Sequence, residues 1–172
     1  LMIQWRTDQL EGYNNLGVSS TGWGFLSPRK AFYDEAVAND GADGKRLNGI
    51  LRTYKQMNEM GVFVQNGMTT INEGYFMWKW RVSLDELVGG SAWNSCRNTR
   101  FMRLAEVLLC GAEAHLMAGN SQKATEYVNQ IRNRAGLSSL ASVDMKQLKT
   151  EKRIELIGEF TRYQDILRWG DA

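Results

Sequence analysis

Glu151, Glu155 and Glu159 recur at every fourth residue, and Arg162 and Asp165 continue the row at steps of three. Over Glu151 to Gly170 a helical winding of about 100° per residue puts these five side chains on one stripe. Paired carboxylates on one face are the equipment of general acid–base chemistry, if they face a cleft and their environments separate their pKa values. Acids four residues apart also repel one another, so keeping them together calls for basic partners, either Arg162 or groups from elsewhere in the chain. Charged rows on helices are ordinarily solvated or salt-bridged, and this one reads as a structural ionic seam. A two-carboxylate glycosidase is not excluded by motif, because it depends on a spatial separation rather than a local spacing.

Other chemistry finds little footing. His115 is the one histidine, which excludes paired-histidine zinc sites, and it falls where a helical hairpin packs an aromatic. No nucleophile elbow, phosphate-binding loop or dinucleotide turn occurs. The aspartates in Asn39 to Gly44 lack the spacing and closing glutamate of a calcium loop, and the segment reads as a turn. No metal and no cofactor is called for. Of the two cysteines, Cys110 sits in an apolar helical run and reads as a small buried thiol, with Cys96 able to pair with it only if the fold allows. The 21 basic and 19 acidic side chains are mixed along the chain, so no field for nucleic acid or an anionic membrane is present. Six Trp and six Tyr are concentrated in the first half, where flat rings suit either sugar faces or protein interfaces.

The elements that must hold these groups follow from periodicity. Leu156, Phe160, Tyr163 and Leu167 form an apolar stripe opposite the acids, so Glu151 to Gly170 is expected as one two-faced helix. Leu104, Leu108, Gly111, Ala112 and His115 recur at helical spacing from Arg103 to Gly119, and a second helix runs from about Ser121 to Ala135. Leu108, Gly111, Ala112, Gly119, Ala124, Val128 and Ile131 together fit one tetratricopeptide register, which implies a helical hairpin. Such a hairpin is stabilised by stacking, so its neighbours come from residues 144–168 or from chain beyond this sequence. In the first half, Met2 to Trp5 is expected as a brief strand, and Ser27 as the cap of a helix whose first residue is Pro28 and whose Phe32, Tyr33, Ala36 and Val37 face inward. Ile50 to Met57 and Tyr75 to Val82 are expected as strands, Asn58 to Thr70 as a loop, and Ser83 to Arg100 as a linker. No run reaches the roughly 20 apolar residues of a membrane span.

Glu151, Arg153, Glu155, Leu156, Glu159, Arg162, Asp165, Arg168, Trp169 and Gly170 resemble the signature near the C-terminal part of SusD/RagB-type glycan-binding lipoproteins, with Phe160-Thr161 where many members have glycine after the glutamate. The helix Arg103, Ala105, Glu106, Leu108, Leu109, Ala112, Glu113, Ala114 is similar to a second family segment. Gly22-Trp23-Gly24, Pro28, Asp43-Gly44-Lys45-Arg46 and Lys79 follow in the family's order. The resemblance implies a mainly α-helical SusD-like fold, with a tetratricopeptide-type hairpin packed against an irregular lobe containing a few short strands. Residues 1–172 would be a single-domain fragment of a larger protein truncated at both ends, with an irregular aromatic lobe at 1–100 and a helical part at 101–172. It implies a non-catalytic protein, lipid-anchored at the outer-membrane surface, that binds oligosaccharides or other nutrients and delivers them to a TonB-dependent transporter. Trp23, hemmed by glycines, and Trp93, in the linker, are the expected ligand contacts, because binding residues collect on loops over a rigid scaffold. A tetratricopeptide-type adaptor that grips a protein segment without binding glycan is the competing reading.

Overall fold

A computed structural model describes residues 27–60, 73–80, 86, 88, 96, 98 and 100–171, and the backbone alone at 18, 19, 82 and 83. The expected strand at Met2 to Trp5 and the residues Trp23 and Trp93 lie outside the described residues. The chain divides into two compact units, Leu1–Asn98 and Thr99–Ala172.

In the first unit, helix α1 spans Lys30–Asp40, α2 Lys45–Ile50 and α3 Tyr54–Glu59, with short strands β1 Val18–Ser19, β2 Leu51–Thr53, β3 Tyr75–Met77 and β4 Val82–Ser83. The strands form two antiparallel pairs, β1 with β4 and β2 with β3, the latter aligning Leu51 with Met77 and Thr53 with Tyr75. Helix α1 begins two residues later than Ser27-Pro28 predicts. Arg29 stands at its N-cap and supplies no side-chain cap. The Lys30 amide instead donates to Glu73 Oε2 at 2.5 Å, so a distant carboxylate takes over the capping role and sits where the helix dipole favours negative charge. Phe32 and Ala36 are buried, while Tyr33 and Val37 are half-buried.

Ile50 to Met57 is not one strand. Ile50 ends α2, β2 is three residues long, and α3 starts at Tyr54. The Thr53 side chain accepts from the Gln56 amide at 3.2 Å while Gln56 Oε1 accepts from the Thr53 amide at 2.9 Å, a reciprocal capping box that turns strand into helix without a loop. Tyr75 to Val82 is likewise broken by a turn at Lys79-Trp80. The Asn39 to Gly44 segment is partly helical: α1 runs through Asp40, whose carboxylate takes a two-pronged ion pair from Arg46 at 2.7 and 2.6 Å.

In the second unit, α4 spans Leu104–Met117, α5 Ser121–Arg134, α6 Met145–Glu155 and α7 Arg162–Trp169. Helices α4 and α5 form the expected hairpin around Gly119, whose φ of +78° is open to glycine at little cost. Asn120 and Asp144 cap α5 and α6 by accepting from Lys123 and Gln147 amides at 3.1 and 2.7 Å. The core joins Ala105, Leu109, Ala112, Val128, Ile131 and Leu148. Each large aliphatic buried there contributes about 1.5–3 kcal/mol. Leu104 is exposed rather than inward, because Ala105 and Leu109 take the buried stripe of α4. Cys110 is exposed too, which corrects the expectation of a buried thiol.

The predicted helix from Glu151 to Gly170 is two helices separated by turns at Leu156 to Thr161, where Gly158 adopts φ of +74°. The break reverses the expected facing. Leu156 is buried, but Phe160, Tyr163 and Leu167 are exposed, and Glu151, Lys152, Glu155 and Asp165 are the buried ones. Among the described residues, no helix is long and apolar enough to cross a membrane.

Candidate functional site

The ionic seam is real and lies inside the second unit. Arg132 pairs with Glu151, and both side chains are almost fully buried. Arg103 lies between two acids: Nη1 donates to Glu155 Oε1 at 2.6 Å, and Nε to the two oxygens of Glu159 at 2.8 and 2.9 Å. Arg134 adds a second donor to Glu155 at 2.6 Å. Lys152 Nζ reaches Asp165 at 2.7 Å and Glu113 at 3.6 Å. Arg168 donates to Glu113 and Asp165, and the Trp169 indole N–H donates to Glu113 at 2.8 Å.

Every acid of the row is thus tied to a base, which is the signature of a clamp between helices and not of a poised acid–base pair. Burial pushes the Glu113 carboxyl up, but the hydrogen bonds from Arg168 and Trp169 and the charges of Lys152 and Arg168 outweigh it and hold the group below its ordinary value. Arg162 is not among the bases. Its Nη1 is buried without a hydrogen-bond partner, and its guanidinium carbon lies 5.8 Å from the Trp169 ring centroid. Helix α7 starts afresh after the break, so its first residue no longer shares the stripe of Glu155 and Glu159. His115 packs edge-on to Tyr127 with centroids 5.4 Å apart, as the hairpin pattern requires.

A different chemistry collects at one end of the β2–β3 pair in the first unit. Tyr33 on α1 and Tyr75 on β3 stack with ring centroids 4.7 Å apart and planes tilted by 30°. Both are half-buried, and Tyr54, whose amide donates to the Gly74 carbonyl at 2.8 Å, is exposed beside them in the chain path. Charged groups border the pair. Lys30 Nζ donates to both oxygens of Asp34 at 2.8 and 2.7 Å, and Arg29 to Glu73 at 3.2 Å. Burial pushes the Tyr75 hydroxyl up, against the pull of Lys30. Aromatic faces flanked by carboxylate acceptors and ammonium donors can stack on the C–H face of a sugar ring and hydrogen-bond its hydroxyls. Among the described residues, no cluster of histidine, cysteine and carboxylates could hold a metal ion.

The described tryptophans of the first unit are less suited to such contact. Trp78 is buried under the Arg52 guanidinium, 5.6 Å from its centroid, and Trp80 is half-buried. Sequence reasoning placed Tyr33 with the inward positions of α1 and missed its pairing with Tyr75. Nothing in the local spacing relates the two, since the strand pairing between residues 51–53 and 75–77 is what brings β3 to its place.

Residues 52–172 match the SusD family model. The chain belongs to the SusD family. A SusD-like protein P2 of Formosa agariphila is 40% identical to it over 96 residues, 48% of this chain and 19% of the relative. Among solved structures, surface glycan-binding protein A from Bacteroides fluxus is 29% identical with a TM-score of 0.75, covering 96% of this chain and 34% of that one. A laminarin-binding SusD-like protein is 27% identical with a TM-score of 0.70, covering 87% of this chain and 31% of its own. The chain thus spans about a third of the length of these solved SusD-like proteins. The mainly helical architecture is that of the family. Arg103, Glu113, Glu155, Asp165 and Arg168, which carry the resemblance in the sequence, take part in the ionic clamp, whereas Arg162, which also carries it, does not.

Proposed function

We propose that this chain is part of a non-catalytic SusD-type protein that binds oligosaccharides at the cell surface and hands them to a TonB-dependent outer-membrane transporter, with a lipid anchor on the full-length protein. The observation that carries the reading is the SusD match over residues 52–172, joined to a fold shared with surface glycan-binding proteins. Sugar is contacted by aromatic side chains of the first unit: Tyr33 and Tyr75, and the tryptophans at 23 and 93. Laminarin is the first ligand to try, because a SusD-like relative of the same fold is named for binding it.

Calorimetric titration of the full-length protein with laminarin and a panel of other oligosaccharides tests the proposal. Binding of one glycan class is expected, and Tyr33→Ala, Tyr75→Ala, Trp23→Ala or Trp93→Ala should each weaken it by up to about tenfold without lowering the melting temperature, the scale of one lost ring contact. Unchanged affinity in all four variants would remove these residues from the site. Silence towards every glycan, together with capture of a peptide by the helical hairpin, would overturn the glycan reading in favour of an adaptor.

A further inference from the structure

The packing of α4 on α6 sets a thiol beside an amine. Lys152 on α6 is buried, yet its Nζ donates to Sγ of the exposed Cys110 on α4 at 3.7 Å. The same nitrogen lies 2.7 Å from Asp165 Oδ1 and 3.6 Å from Glu113 Oε2, so its three hydrogens are shared among two carboxylates and one sulfur. The carboxylates belong to the ionic clamp; the contact with sulfur adds nothing to it. Cys110, Lys152 and Asp165 all line one cleft of about 480 Å³, roomy enough for a molecule little larger than water to reach the sulfur. A sulfenic acid condenses with the nucleophile beside it, a thiol to give a disulfide or a nitrogen to give a sulfenamide. Here the neighbour within reach is the Lys152 nitrogen, since Cys96 belongs to the other compact unit.

We propose that Cys110 and Lys152 form a reversible sulfenamide bridge when the protein meets hydrogen peroxide, and that the bridge loosens α7. Peroxide transfers one oxygen to the thiol, giving Cys110 sulfenic acid and water; the sulfur loses two electrons and the peroxide gains them. Lys152 passes an ammonium proton to Asp165, and the freed lone pair attacks the sulfur. A nitrogen–sulfur bond forms as the sulfur–oxygen bond breaks, and the departing hydroxide takes a second proton from the nitrogen and leaves as water. A small thiol reverses the step by attacking the sulfur, which returns the amine and leaves a mixed disulfide; a second thiol then frees Cys110. The bridge staples α4 to α6 and cancels the charge that ties α6 to Asp165 of α7, whose remaining base is Arg168 at 2.9 Å. The inference does not depend on glycan binding.

The full-length protein carrying Cys96→Ser, which removes the other cysteine of this sequence, would be treated with hydrogen peroxide, digested without reductant and sequenced by tandem mass spectrometry. Peptides containing Cys110 and Lys152 should emerge joined, lighter by two hydrogens than their sum, and dithiothreitol should separate them. Cys110→Ser, at an exposed position, should abolish the joined product. Lys152→Arg, which keeps the charge, should abolish it too and leave a sulfenic acid that dimedone traps. Amides of α7 should exchange at least about fivefold faster in the bridged protein than in the reduced one, while those of α5 keep their rates. Sulfinic or sulfonic acid at Cys110 without joined peptides would overturn the proposal. So would joined peptides in equal yield from urea-unfolded protein, in which the two residues are no longer held together. An α7 that exchanges no faster would overturn its coupling to the bridge.

Discussion

Lys152 Nζ on α6 lies 2.7 Å from Asp165 Oδ1 on α7, with the side chains 2% and 7% exposed, so one ion pair bridges the turns that interrupt the two helices. Removing one partner of such a pair strands the other away from water. Asp165→Ala should therefore destabilise the folded chain by about 3–5 kcal/mol, whereas the double change Lys152→Met with Asp165→Leu should restore most of the loss. Urea denaturation measures both, and a single-variant loss below about 1 kcal/mol would show that Glu113, 3.6 Å from the ammonium, suffices alone.

Arg103 and Arg162 should behave differently. Arg103 serves Glu155 and Glu159 together, and Arg103→Ala should cost about 3 kcal/mol. Arg162 pairs with neither and rests on Trp169, so Arg162→Ala should cost under about 1 kcal/mol. Equal losses in the two variants would contradict this assignment.

Acid should loosen the clamp through Glu113. Its pKa is depressed in the folded state from the ordinary 4.5, so its contribution is complete above that value and is lost as pH falls through the folded pKa. The urea midpoint should decline below about pH 4.5, and Glu113→Gln, weaker at pH 6, should show a shallower decline. Glu106 has the opposite sign: burial, then the Glu159 charge, raises its pKa, so its favourable contribution is present below 4.5 and lost as pH rises through the folded value. Glu106→Gln in the 172-residue chain should accordingly gain stability over the parent at pH 7 and match it at pH 4. A gain at both would place the benefit in something other than charge.

Gly111 sits where α4 meets α5. A Cβ there would lie 2.8 Å from Tyr127 Cε2, closer than real contacts allow, and the ring is also held against His115. Gly111→Ala should be destabilising by about 1–2 kcal/mol, the overpacking cost less the better helix propensity of alanine. Stabilisation instead would mean that the Tyr127 ring swings away freely, which a loss of its contact with His115 would reveal by NMR.

The helical hairpin was legible because α4 and α5 fold by local periodicity, and Ala112, Val128 and Ile131 are buried where the register puts them. Charge partners from other helices were less so. The spacing of Glu151, Glu155 and Glu159 announces that bases are needed, but Arg103 and Arg132 arrive through packing of α4 and α5 on α6, which no window around the acids contains. Winding the acid row on to Arg162 failed for a local reason: residues 156–161 leave the helix, and the positive φ of Gly158 resets the phase. Burying ionised side chains in place of Phe160 and Tyr163 ran against transfer energies, and is tolerated because each charge meets an opposite one. The tyrosine pair was illegible, since Tyr33 and Tyr75 meet only after β3 has paired with β2.

The cap that α1 takes from Glu73 has a consequence for the order in which the first unit opens. The carboxylate that holds the Lys30 amide stands two residues before β3, so the first turn of α1 is held by a contact 43 residues away in sequence. Fraying of that turn and melting of the β2–β3 pair therefore belong to one cooperative event. Native-state hydrogen exchange should give the Lys30 amide the opening free energy of the Phe76 amide, and Glu73→Gln should lower the former first.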